Sequence, residues 1–222
     1  MKVSILQSNY IPWKGYFDII KRSDIFVFLD DVQYTTGDWR NRNLIKTKDG
    51  VQWLTIPVGD NIHRKINEVS IDTWDWQKDH YNKIYYAYRK APYFKLFNDW
   101  LEEIYLDGIW GNLSILNQGL IKSVTGLLGY KTKFMNSTEI KCEGKKQDKL
   151  ISTLKTLGAD CYLSGPAGKN YINENDFTKS GIKIEWMEYN YPEYPQLHGK
   201  FVHEVSIIDM IMNLGYNINK YI

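Results

Sequence analysis

Residues 3–43, VSILQSNYIPWKGYFDIIKRSDIFVFLDDVQYTTGDWRNRN, constrain the fold of this chain more than any other stretch. An apolar run at 3–6 ends in polar Gln7, Ser8 and Asn9, and Tyr10-Ile11-Pro12-Trp13 follows. Behind Gly15 a helical pattern of Phe17, Ile19 and Ile20 opens, and a second apolar run at 25–29 stops at Asp30-Asp31. Unbroken apolar strands separated by a helix suit a parallel sheet covered on both faces; alternation is the mark of a sheet with one wet face. The expected fold class is α/β, with three layers and a mostly parallel sheet in which 3–6 and 25–29 are parallel neighbours. Such sheets bind ligands beyond the carboxyl ends of their strands. Residues 7–13 and 30–42 therefore belong to one ligand-binding edge.

The second of these loops is dense in planar donors. Gln33 to Asn43 reads QYTTGDWRNRN, with a turn at Gly37-Asp38. Trp39, Arg40, Asn41, Arg42 and Asn43 offer two guanidinium forks, two amides and one stacking face. That set fits a carboxylate or phosphate, which Arg grips in a bidentate manner. The plainer alternative is a solvated loop whose Arg residues pair with Asp30 and Asp31.

Further along, 44–47 and 51–58 read as a small antiparallel hairpin around Lys48-Asp49-Gly50, and 65–71 as one more edge strand. From Trp76 the period becomes helical: WQKDHYNKIYYAYRKAP stops at Pro92, and helices at 94–105 and 113–128 follow. The segment 76–130 is thus a helical insertion in what is expected to be one domain, 1–222. His80 lies on or near the apolar face of its helix, either as a satisfied structural residue or as a general base. The last third alternates again: strand 134–137, helix 146–157, strand 161–163, strand 182–187, a Pro-interrupted stretch 190–201 and helix 205–214. After strand 161–163 comes Ser164-Gly165-Pro166-Ala167-Gly168-Lys169. It is either a backbone cradle for an anion or a plain tight turn. The Walker pattern is absent, since Asn170 follows Lys169.

Composition excludes several partners. Twenty-eight Lys and Arg against 26 Asp and Glu leave a formal charge of +2, without the basic stripe of a nucleic-acid binder. No apolar run reaches the roughly 20 residues of a membrane span. The N-terminus enters a strand with no signal-peptide pattern, and Cys142 and Cys161 lack CxxC spacing. A cytoplasmic protein with reduced thiols is expected. Seventeen Tyr and eight Trp at a mean hydropathy of -0.45 suit sugar rings, bases or protein interfaces, a homodimer included. Compositional bias is the other reading.

Taken together, QSNYIPWKGYFDII, FVFLDDVQY, WRNRN, WLTIPV, WQKDHY, YLSGPAGKNY, YPQL and VSIIDMIMNLG resemble the WbqC-like family of bacterial proteins, in family order from residue 7 to 215. The chain departs at Ser8-Asn9, where the family commonly has a proline before the tyrosine, and at Arg40, where glutamine is usual. The resemblance implies a cytoplasmic protein of O-antigen, lipopolysaccharide or other surface-polysaccharide gene clusters. More distantly, PWKGYFDIIKRSDIFVFL is similar to the opening of nucleotidylyltransferases, which implies a Rossmann-like architecture. There a glycine lets phosphate approach a helix N-terminus. Gly15 takes that place here, and Trp13 and Tyr16 stand where those enzymes have histidines. Tyr16 donates a hydrogen bond but brings no positive charge.

Two functions remain open. In the first, an enzyme attaches an acyl or aminoacyl group to a nucleotide-linked amino sugar. Tyr10, Trp13 and Trp39 contact sugar or base, while Lys14, Arg40, Arg42 and Lys169 bind diphosphate or carboxylate. Asp31 or His80 acts as general base, assisted by Tyr16. Gln7, Gly15, Asp30, Gln33, Asn41, Ser164, Gly165, Gly168, Tyr171 and Gln196 complete the candidate binding set. ATP is the expected cofactor if the donor is a free acid. No metal is assigned, because the spacing of Asp30, Asp31 and His80 specifies none. The second function is a non-catalytic nucleotide-sugar binding or scaffold protein using the same edge.

Overall fold

A computed structural model describes residues 1–222. Seven strands form: β1 (Lys2–Leu6), β2 (Ile25–Phe28), β3 (Arg42–Thr47), β4 (Gly50–Thr55), β5 (Lys133–Asn136), β6 (Cys161–Ser164) and β7 (Lys183–Trp186). The helices are α1 (Lys14–Lys21), α2 (Asp75–Tyr88), α3 (Phe94–Glu102), α4 (Leu113–Leu127), α5 (Gln147–Thr156), α6 (Glu174–Lys179) and α7 (Ile207–Leu214).

Five strands pair in the order β5-β2-β1-β6-β7, every pairing parallel. β1 and β2 are neighbours in the register Val3↔Ile25 to Leu6↔Phe28. The chain runs outward from β1 through β2 to β5, then returns to the other side of β1 for β6 and β7. That order reverses between β1 and β6, which is where doubly wound sheets leave a crevice at their carboxyl ends.

Both faces are covered, which explains the unbroken apolar runs. Val3, Ile5, Ile25 and Val27 pack against Leu150 and Leu154 of α5 and Phe177 of α6. Phe26, Phe28 and Leu163 face a larger core shared with α1, α2, α3, α4 and α7. Ser4, mid-strand and fully buried, is satisfied by Ser23 Oγ (2.7 Å) and by donating to the Leu163 carbonyl (2.9 Å). β3 and β4 form the expected antiparallel hairpin, with Gly50 at φ +111° in its turn. Both cysteines are free.

The expected edge strand at 65–71 does not form. A 3-10 turn, Ile66–Glu68, takes its place, and only isolated bridges join Gln33 to Lys65 and Ser70 to Asn112. The Glu68 carboxylate accepts the Lys65 N–H (2.8 Å), closing a local turn where a ladder partner is missing. α3 runs on as a wider π turn, Glu103–Asp107, that carries Tyr105 into the core. Asn112 and Ser206 cap α4 and α7, accepting from Ile115 N (3.0 Å) and Ile208 N (3.2 Å). No helix is long and apolar enough to cross a membrane.

Candidate functional site

The loop after β1 is held by groups from four directions. Tyr10 N–H donates to the Trp39 carbonyl (2.9 Å), and the Asn43 amide donates to the carbonyls of Tyr10 (3.0 Å) and Ile11 (2.9 Å). Ile207 N–H donates to the Pro12 carbonyl (2.9 Å), and Ser8 N–H to the Asp30 carboxylate (2.8 Å). Ile11 sits at φ +35°, a left-handed conformation that costs a β-branched residue about 1–3 kcal/mol. Such strain persists only where the surroundings over-determine the backbone, as they do here.

Tyr10 and His80 are enclosed, at 0% and 1% exposure. His80 Nε2 lies 3.2 Å from the Thr55 carbonyl, which only accepts, so Nε2 carries the proton. Nδ1 then accepts from Tyr10 Oη (2.8 Å), which in turn accepts from Tyr105 Oη (2.7 Å). Burial lowers the imidazole to a pKa of about 4 and raises the Tyr10 hydroxyl well above its ordinary value. This chain fixes the loop from beneath. Tyr16 is also buried; its hydroxyl donates to the Gln7 carbonyl (2.9 Å) and is pushed well above its ordinary pKa by burial.

Above the loop, Asn9, Trp13, Trp39, Asn43, Leu44 and Glu204 line a cleft of about 380 Å³. Trp39 stacks obliquely on Trp53 (5.6 Å), and the Arg42 guanidinium lies over the Trp53 ring (4.3 Å). The Trp13 indole meets Tyr189 edge-on (5.0 Å). Tyr189 Oη in turn stands 3.2 Å from where a Cβ on Gly165 would fall. Tyr189 thus links the turn after β6 to the loop after β1.

The polar balance of this edge is unusual. Nine buried side-chain polar atoms have no hydrogen-bond partner within the protein, and seven belong to Ser8, Asn9, Tyr34, Arg40, Asn41, Arg42 and Asn117. Buried polar groups are nearly always paired, so these atoms take a partner from outside the protein, an ordered water or a ligand. Burial raises the pKa of the Tyr34 hydroxyl; Asp38 adds to the rise, and the Arg64, Arg40 and Arg42 charges oppose it. The Arg40 guanidinium reaches Asp38 at 3.5 Å.

Several candidate residues stand elsewhere. Lys14, expected at a phosphate, is 2% exposed and enclosed by Tyr191, Tyr194 and Phe201, at 5.1, 5.1 and 5.3 Å from the ring centroids. Its Nζ lies 3.1 Å from His203 Nδ1, and burial lowers its pKa to about 8. Gly15 does not open the helix N-terminus to phosphate: a Cβ there would fall 2.3 Å from the Trp13 ring, so the indole already fills that space. Gln196 is consumed by Lys46 Nζ (2.7 Å), Val202 N–H (2.9 Å) and Tyr194 Oη (3.1 Å). Gln33 is exposed and donates to the Ile62 carbonyl (3.3 Å). Asn41 bonds the Ile56 carbonyl (3.0 Å).

Ser164–Lys169 leaves the same edge of the sheet, but as a short 3-10 turn closed on itself: Gly168 N–H donates to Gly165 O (3.0 Å), and Tyr171 N–H to Gly168 O (3.1 Å). Gly168 packs against Ser164 and Trp186, while Lys169 lies over Trp186 (5.7 Å) and Tyr171 is exposed. Asp31 pairs with Lys149 and Ser137. Against its partial burial, these two hold the carboxyl below its ordinary range. Asp30, 3% exposed, accepts from Ser8 N–H, Ser114 Oγ and Gln118 Nε2, without a cationic partner. No group of three His, Cys, Asp or Glu is placed to hold a metal.

Sequence reasoning missed Asn9, Tyr189 and Glu204. Asn9 carried a signal, as a polar residue at a strand end. Glu204 and Tyr189 carried none, lying far along the chain from everything they meet.

No solved structure matches the chain. An uncharacterized protein of Mycobacterium tuberculosis is 42% identical over 224 residues, an alignment covering 100% of this chain and 97% of that one. Residues 7–221, which include both loops of this edge and the segment carrying Tyr189 and Glu204, match one described family. The chain belongs to the WbqC-like protein family.

Proposed function

We propose that this protein binds a nucleotide-linked amino sugar across the carboxyl edge of its sheet and attaches an acyl or aminoacyl group to the sugar amine, in the assembly of a surface polysaccharide such as O-antigen. The observation that carries this reading is the concentration of unpartnered buried polar atoms on Ser8–Asn9 and Tyr34–Arg42, beside the point where strand order reverses. In it, the base stacks in the cleft between Trp13 and Trp39. Arg40 and Arg42 grip the diphosphate, their buried Nε groups finding acceptors there. The amine attacks the acyl carbonyl, a carboxylate at the end of β2 takes its proton, and the bond from the carbonyl to the donor's leaving group breaks, releasing the donor's thiol, phosphate or nucleotide as the amide forms. If the donor is a free acid, ATP activates it first. Tyr10 and His80 are positioning residues, since both are enclosed beneath the loop.

A binding or scaffold role is the second reading. It is favoured by one observation: His80 and Tyr16 are buried and Asp31 is already ion-paired with Lys149, so none of the three is a free base facing solvent. Incubation with UDP-, dTDP- and GDP-linked amino sugars and acyl donors, with and without ATP, separates the readings by mass spectrometry. An acylated product supports the enzyme. Tight binding of a nucleotide sugar with no product under any donor supports the scaffold, and absence of both sinks the two together.

A further inference from the structure

Beyond the cleft, at the carboxyl ends of β2 and β5, lies a separate recess of about 220 Å³. Its volume is below the roughly 300–1,000 Å³ of sites for drug-sized ligands, which restricts it to a single small unit. Of its eleven lining residues only Phe28 and Ile115 are apolar. The walls are amides and hydroxyls, among them Asn67, Asn112, Gln118, Asn136 and Thr138, and no Lys or Arg lines it. Phosphate and carboxylate are therefore disfavoured: no Lys or Arg in the lining answers their charge, and the unpaired Asp30 repels it.

Amides and hydroxyls both donate and accept, as sugar hydroxyls do. Asp30 adds a further demand. Asp31 is neutralised by Lys149. Asp30 is buried with three neutral donors and no cation, and a buried carboxylate left so is stabilised by an incoming ammonium.

We infer that this recess holds a single amino-sugar ring, its hydroxyls on the amide walls and its protonated amine on Asp30. The inference rests on the reading of a nucleotide-linked amino sugar and supplies its missing half. Arg40 joins the two cavities: it follows Trp39 of the cleft, and its carbonyl accepts from Asn117 Nδ2 (2.8 Å), the residue before Gln118 of the recess. Base, diphosphate and sugar thus follow one another along the sheet edge as cleft, Arg40 and recess.

The test is an amide NMR titration of the full chain with D-glucosamine and with D-glucose, below neutral pH. Glucosamine is expected to shift the amides of Ser114, Gln118 and Ser137, and glucose to bind about tenfold more weakly or worse, lacking the charge-assisted bond. Asp30→Asn should erase that preference. Thr138→Tyr, at an exposed rim position, should plug the recess and abolish the shifts with the fold intact. Unmoved amides in the wild type, or shifts that survive Thr138→Tyr, overturn the recess. A preference that survives Asp30→Asn overturns its role with the amine. UDP, dTDP and GDP are titrated separately and read at the Trp13 and Trp39 indole N–H groups. Silence there with glucosamine still bound defeats the nucleotide reading and leaves the recess standing; the converse defeats the recess alone.

Discussion

The side-chain amide of Asn43 donates to two consecutive carbonyls, Tyr10 and Ile11, at 3.0 and 2.9 Å. One residue of β3 thereby fixes the loop after β1 around a strained Ile11. Asn43 is 3% exposed, so no water replaces it easily.

Removing that amide should cost stability and preorganisation together. Asn43→Ala leaves both carbonyls unpaired, and about 1–3 kcal/mol of stability is expected to go. For a chain of this length that lowers Tm by about 2–4 °C per kcal/mol. Asn43→Asp keeps the shape but cannot donate, so it should behave like the alanine variant. Urea unfolding of both variants checks this; a normal midpoint in Asn43→Asp would refute the clamp.

Arg42 stacks on Trp53 and keeps a buried Nε without a partner. Arg42→Lys retains the charge but loses the planar fork and the stack, so nucleoside diphosphate binding should weaken by about 1.5–3 kcal/mol. Isothermal titration calorimetry measures it. If affinity is unchanged while the melting temperature falls, the guanidinium serves only to hold the Trp53 face of the hairpin.

His80 links acid stability to the same loop. Its folded pKa of about 4 lies below the ordinary 6.5 because burial disfavours the charged ring. Below 6.5 the unfolded chain binds the extra proton, so stability present above 6.5 is lost as pH falls towards 4. The loss approaches about 3 kcal/mol for this residue. Urea midpoints at several pH values, compared with His80→Gln, isolate it. A variant as pH-sensitive as the wild type would show that other groups govern this window.

Lys14 acts with the same sign in a higher pH window. Its ammonium is caged by aromatic rings beside His203, and its folded pKa of about 8 lies below the ordinary 10.5. Between these values the unfolded chain binds more protons, so stability should rise with pH, by about 1–3 kcal/mol in all. Lys14→Met fills the cage without charge and should flatten the rise. Denaturation at successive pH values above 8 provides the comparison.

By itself the sequence determined which segments become which elements, apart from 65–71, where a 3-10 turn replaces the expected edge strand. Uninterrupted apolar runs at 3–6 and 25–29 demanded a sheet buried on both faces, and Asp49-Gly50 turned the hairpin. It also placed Gln7–Trp13 and Asp30–Arg42 together, because a parallel sheet delivers its carboxyl ends to one side. Trp39, Arg40 and Arg42 were legible for that reason.

Tertiary structure alone decided which of those side chains face a cavity. Lys14 and Gly15 sit in the right loop, yet the segment carrying Tyr191, Tyr194, Phe201 and His203 encloses the lysine, and Trp13 folds over the glycine. Asp30 and Asp31 are adjacent in sequence, but only Asp31 meets a lysine, Lys149. Periodicity and turn chemistry act over one or two turns of chain. The lysine's exposure was set by a residue 189 positions away, where no local signal reaches.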